Sequence, residues 1–324
     1  MKLLFINKYK FLIMVLLLTV VVEANEENSY GWNVPNSSLN IGGYVDATYD
    51  TQRNPKFLFD DIAMLLSANK NSFDFLSEIE FSHISLDGKS NNSRDVSLNI
   101  ERLQLSYALS NEQIFRVGRF NTEIGFWNLA PIPILEDTTT KPHFLGNIFP
   151  RYTIGGMFEQ KIDESNRVSL SLQKSKDFLH KGSSVESDRH LLLSYYGEDD
   201  DLSWNVAVGN YEDEKENNFN YAGLSTQYLA DDFGVQAELY IQSSSVGYSM
   251  PYSGYLQGTW HFTEQQDVVS RIERYRDNGQ NVSEAIYLFG YVYRPTNNMA
   301  LKAEYINHSI LPLNHFVYSI SVLF

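Results

Sequence analysis

"HFVYSISVLF", residues 315–324, alternates with a period of two. Phe316, Tyr318, Ile320, Val322 and Phe324 share one face, and Val317, Ser319, Ser321 and Leu323 share the other. This is a β-strand with two unlike faces. Its apolar face needs either a protein core or lipid. One strand does not decide between them, but the segments upstream do.

The same alternation recurs past residue 38. "GVQAELYIQ" sets Val235, Ala237, Leu239 and Ile241 against Gln236, Glu238, Tyr240 and Gln242. "LSWNVAVGN" sets Leu202, Trp204, Val206 and Val208 against Ser203, Asn205, Ala207 and Gly209. "FDFLSEIEF" keeps Asp74, Glu78 and Glu80 opposite Phe73, Phe75, Ile79 and Phe81. About sixteen such strands are predicted, at 39–49, 57–68, 72–86, 96–108, 113–120, 151–161, 166–175, 189–197, 202–210, 219–229, 233–242, 253–262, 266–276, 283–294, 299–307 and 315–324. The phase breaks near Glu101 and Arg102, which reads as a β-bulge or as two merged features.

The connections alternate as well. Tight ones, "NKN", "SNEQ", "DESN", "EDDD", "ADD", "TEQ" and "PTNN", are interleaved with longer ones such as "DGKSNNSRD" and "YEDEKENN". Short turns at one end and long loops at the other are the pattern of an outer-membrane barrel, with the short turns periplasmic. An even strand count then places both termini on the periplasmic side. In lipid every backbone polar group needs an internal partner, so the sheet must close on itself. About sixteen strands leave room for an aqueous bore. The fold class is therefore all-β: a transmembrane antiparallel up-and-down barrel.

Composition agrees. Of 324 residues 14% are aromatic, with 21 Tyr, 20 Phe and 4 Trp, and rings of this kind gather at membrane interfaces. Lys2, Lys8 and Lys10 precede the apolar run Phe11–Val22 and the small-residue site Val22-Glu23-Ala24. The run is too short to span a bilayer, so residues 1–24 read as a cleaved signal peptide, 25–38 as a periplasmic tail and 39–324 as the barrel. Removing three Lys and one Glu takes the formal charge from −15 to about −17. Such a charge argues against nucleic acid as a partner. The chain has no Cys, so neither a disulfide nor a lipid-modified Cys is available.

With these features the chain resembles the bacterial outer-membrane porins, nearest the phosphate-selective porin-like group. The signal peptide, "FRVGRFNTEIGFWN" at 115–128 and the terminal Phe324 carry the likeness. The resemblance implies a 16-stranded barrel, a possible homotrimer, and a last strand whose Tyr318, Ile320, Val322 and Phe324 are read by the barrel assembly machinery. It also implies that the long connection after the fifth strand, 121–150, folds inward and narrows the bore. Loops of this length without structure of their own are usually functional or disordered. This one holds Ile124, Phe126, Trp127, Phe144 and Phe149, which gain nothing in solvent.

The site expected is a charged constriction, since a pore selects by width and lining charge. Arg116 and Gly118 have lumen parity opposite Phe115 and Val117, and Gly118 would leave space for the loop. Arg119 has lipid-side parity at a strand end, within reach of water by snorkelling. Glu123, Glu136 and Asp137 on the loop are expected to face basic wall residues, with Trp127 beside them. Arg271 with Glu273, and Lys302 with Glu304, share wet faces and read as ion pairs ordering a polar wall. With 25 basic against 40 acidic residues, phosphate selectivity is in doubt.

The function expected is passive diffusion of small hydrophilic solutes or ions, with outer-membrane lipid and lipopolysaccharide as surroundings. The rival readings are a closed structural or adhesive barrel, an outer-membrane hydrolase, and a soluble secreted β-protein. The seven His residues are scattered and none forms a helical zinc pair. No catalytic residue, cofactor or metal is expected.

Overall fold

The computed structural model describes residues 31–85, 97–130, 132–176, 185–247 and 249–324. The predicted signal peptide, the first part of the predicted tail and the connection "DGKSNNSRD" lie outside the described residues.

A two-residue strand, β1 (Trp32–Asn33), precedes sixteen longer ones. They are β2 (Leu39–Asp50), β3 (Phe57–Lys70), β4 (Phe73–Ile84), β5 (Ser97–Ala108), β6 (Gln113–Asn121), β7 (Tyr152–Lys161), β8 (Asn166–Gln173) and β9 (Arg189–Asp199). The circuit continues with β10 (Leu202–Glu212), β11 (Asn218–Leu229), β12 (Phe233–Ser244), β13 (Tyr252–Thr263), β14 (Gln266–Asp277), β15 (Val282–Thr296), β16 (Met299–His308) and β17 (His315–Leu323). Each predicted strand has its counterpart in order. Neighbours in sequence pair antiparallel, and β17 pairs with β2, so the sheet closes. The short β1 lies against the start of β2.

Tight turns occupy one end. Residues 71–72 and 200–201 each turn the chain in two residues, with Asn71 at φ 56° and Asp200 at φ 47°. Asn and Asp tolerate this left-handed backbone better than most residues. The start of β2 and the end of β17 lie at the same end. There Phe324 and Gly43 exchange backbone hydrogen bonds of 2.9 and 2.8 Å.

The two faces are inverted relative to a soluble protein. Leu172, Leu193, Leu224, Ile241, Leu256 and Phe289 are exposed, while Glu238, Arg271, Glu273, Lys302 and Glu304 are buried inside. A soluble sandwich would hide the first set between two sheets, and here one sheet closes on itself. Rings cluster near both ends of the outer face. Phe73, Tyr107, Phe115 and Phe158 lie in register near the tight turns. Phe289, Tyr305 and Phe316 do so toward the long connections, with Tyr49 beside Tyr318.

The phase break in β5 is a bulge. Glu78 pairs with Arg102 but Ile79 pairs with Ile100, which leaves Glu101 as the extra residue. Glu101 therefore lines the interior cavity together with Arg102's ion-pair partner Glu78. On β17 Tyr318 is exposed and Ile320 is half-buried, and Phe324 just beyond it is exposed, but Val322 is buried. The expected continuous outward stripe is thus interrupted. Val322 sits between Met299 and Val45 of the adjoining strands.

Candidate functional site

The connection between β6 and β7 runs inward. It contains two single-turn 3-10 helices, Trp127–Leu129 and Pro133–Leu135. A thirty-residue segment carries many backbone donors and acceptors, and buried ones require partners. The wall supplies them. Glu238 accepts the amides of Phe126 at 3.3 Å and Trp127 at 3.1 Å. Asn205 accepts Gly125 N at 3.0 Å. Glu304 accepts the Thr139 amide and, at 3.0 Å, the Thr140 amide. Glu273 accepts His143 N at 2.8 Å. Arg271 donates to Thr138 Oγ1 at 2.8 Å and Thr140 O at 2.6 Å, and Lys302 Nζ donates to Pro133 O at 2.6 Å.

An apolar core accompanies these bonds. Ile124, Trp127, Phe144, Ile148 and Phe149 pack with Tyr211, Tyr221, Tyr240 and Tyr255 from the wall. Phe144 lies 4.5 Å and Phe149 5.1 Å from the Tyr240 ring, centroid to centroid. His143 stacks on Tyr275 at 3.5 Å. Burial pushes the His143 imidazole pKa down, so the stacked ring favours its neutral form. Ile132 and Ile134 join a second cluster with Tyr44, Ala63 and Leu323 near the tight-turn end. The loop thus fills the interior on the β9–β16 side.

Beside it, against β2–β6, a cavity of about 390 Å³ remains. Carboxylates of Asp46, Asp60, Asp61, Glu78, Glu80 and Glu101 line its wall, and Pro133, Glu136, Thr139, Thr140, Lys141 and Arg151 line its loop side. Several wall acids are tied. Arg53 bonds Asp60 at 2.7 Å and lies 3.2 Å from Asp50, and Arg102 bonds Glu78 at 2.6 Å. Tyr44 donates to Glu78 at 2.7 Å, Ser82 to Glu80 at 2.6 Å, and Ser321 to Asp46 at 2.5 Å. Glu136, on the loop, is 7% exposed, and among the described residues no side-chain hydrogen bond or ion pair reaches its carboxylate. Burial pushes its pKa up to about 8, against the pull of Lys141, Lys302 and Arg151.

The residues singled out in the sequence have different fates. Arg116 pairs with Glu123 at 2.8 Å, and Asp137 pairs with Arg294 at 3.2 Å while accepting Thr259 Oγ1 at 2.7 Å. Trp127 is buried in the loop core. Arg271 lies 2.8 Å from Glu273, but this pair, like Lys302 and Glu304, holds the loop as well as ordering the wall. Gly118 and Arg119 depart from expectation. Gly118 has φ +119°, and a Cβ there would collide with the Leu103 carbonyl on β5, so its role concerns the sheet and not the loop. This left-handed turn breaks the alternation and swings Arg119 inside. There it is 2% exposed, donates to Ile100 O at 2.9 Å and lies 3.8 Å over the Tyr152 ring. It does not snorkel.

Glu238 and the wall acids Asp46, Asp61 and Glu101 escaped selection. Glu238, Glu78 and Glu80 already had wet-face parity in the sequence, which is the signal available for them. Nothing in the alternation says which wet-face acid meets a loop thirty residues long. Among the described residues no group of three or more metal-binding side chains comes together.

No family model matches the sequence, and no curated protein does. Solved structures share the architecture. An anion-selective porin from Comamonas acidovorans superposes with a TM-score of 0.67 at 12% identity, over 89% of this chain and 100% of that one. In-vitro folded OmpT, an outer membrane protein of Vibrio cholerae, gives 0.65 at 10% identity, over 91% and 100%. The outer membrane channel DcaP of Acinetobacter baumannii gives 0.62 at 14% identity, over 91% and 100%. At these identities the likeness is one of fold.

Proposed function

We propose that this chain is a passive diffusion channel for small hydrophilic solutes or ions across a Gram-negative outer membrane. The observation that carries the reading is the charged cavity left between the inward loop and β2–β6, inside a closed sheet whose exposed face is apolar. An aqueous path needs polar, ionisable lining, whereas a structural barrel gains nothing from unneutralised acids at its centre. The apolar outer face with rings at both ends suits a bilayer. Shared architecture with porins and channels supports the same reading.

On this reading the loop is the constriction. Arg116, Arg119, Glu123, Glu136, Asp137, Arg271, Glu273, Lys302 and Glu304 then line it or hold it in place. Short turns and both strand ends face the periplasm, and residues 1–24 are removed on export. The terminal residues Tyr318, Ile320, Val322 and Phe324 serve recognition by the assembly machinery. Lipopolysaccharide surrounds the long connections, and three copies assemble.

On this reading the chain is not an enzyme. Planar-bilayer recording of the purified protein tests the proposal. Stepwise conductance without lipid hydrolysis is expected, and a folded barrel that passes no current would overturn it.

A further inference from the structure

Resting on the channel reading, we propose that the slot between the loop and β2–β4 is a cation filter, passing small hydrated cations and ammonium compounds and rejecting anions. The fold family does not dictate this sign, because one porin of the same architecture is anion-selective.

The first argument is a balance of charge. The carboxylates lining the slot outnumber its cationic side chains. Arg53 is committed to Asp50 and Asp60, and Arg119 lies 3.9 Å from Glu101. Asp46, Asp61, Glu80 and Glu136 remain with no cationic side chain bonded to them. Ser321 donates to Asp46, Ser82 donates to Glu80, and Asp61 and Glu80 hydrogen-bond each other; none of these partners is cationic. Opposing them are Lys141 and Arg151 on the loop and Lys302 on β16, the last buried and bonded to Pro133 O.

The second argument is independent of the cluster. Glu136 is buried and faces the slot, and among the described residues no donor is bonded to its carboxylate. Once ionised, a buried carboxylate without a donor is costly, and a passing cation or ammonium group supplies what it lacks. The outer mouth has the same sign. A cavity of about 360 Å³ at the long-connection end carries Glu186, Asp213, Glu214 and Asp277 against Lys215. Like charges at the mouth and in the slot raise the local cation concentration along one path.

Bilayer recordings in asymmetric KCl test the filter. The wild-type chain should favour K⁺ over Cl⁻ by about threefold or more. About threefold is the Coulomb effect of one charge ~6 Å from the ion in water-like surroundings. Asp61→Asn with Glu80→Gln should lower the permeability ratio severalfold. Lys141→Glu, at an exposed position, should raise it. A wild-type ratio of one or below would overturn the proposal, as would a ratio that neither variant moves. Loss of all conductance in a folded barrel would instead remove the channel reading on which the filter rests.

Discussion

Arg271→Met isolates what holds the loop against the wall. Arg271 is buried, lies 2.8 Å from Glu273 and donates to Thr138 Oγ1 and Thr140 O on the loop. Hydrogen bonds from a charged group are worth about 1.5–3 kcal/mol each. Breaking a buried pair from one side costs about 3–5 kcal/mol, because the remaining charge is stranded. Glu273 is only 3% exposed, so solvent rescues little of that loss. Adding Glu273→Gln neutralises the stranded group while its amide oxygen still accepts His143 N. The double variant should recover about 1–3 kcal/mol relative to Arg271→Met alone. Urea unfolding in detergent, read by heat-modifiable gel migration, measures both variants and the coupling between them. Equal stability of wild type and Arg271→Met would refute the reasoning. So would a double variant weaker than the single one, since relief of the stranded carboxylate is the core of the estimate.

Three further outcomes follow from particular contacts. At Gly125, φ is +68° and an added Cβ would overlap the Glu238 carboxylate and the Tyr240 hydroxyl. Gly125→Ala should therefore loosen the loop and raise open-channel current noise, while Gly247→Ala, in open space, should not. Glu136 lies on the connection, facing Lys141, Arg151, Lys302 of β16 and Asp46 of β2. With its pKa raised by burial to about 8, the carboxyl is mostly neutral at pH 6 and ionised near pH 9.5. Cation preference should rise across that window and rise less in Glu136→Gln; a wild-type ratio independent of pH would contradict this. Arg116→Ala releases Glu123 and should shift the reversal potential toward cations, whereas an unchanged value would place the pair away from the ion path.

Strand positions were legible because alternation is local: two-residue periodicity needs no knowledge of partners. The bulge at Glu101 was legible for the same reason, as a break in phase between Ile100 and Leu103. Arg119 misled because parity assumes extended backbone, and Gly118 at φ +119° is not extended. The loop announced itself by length and by oily residues without a strand period. Its partners did not, because Glu238, Asn205, Glu304 and Glu273 come from four strands that the circuit brings together. Tyrosines on wet faces were the overlooked clue. Tyr240 alternates with Leu239 and Ile241 on the polar side of β12, where a large ring requires packing against something inside.

That inner packing gives the molecule a second oily interior, walled off from the one its outer surface seeks in lipid. Detergent exchange or delipidation strips support from the outside only. Ile124, Phe144, Ile148 and Phe149 stay dry whatever surrounds the cylinder. Ruggedness away from the bilayer is thus built in from within, and the segment that fills part of the interior also braces the wall around it.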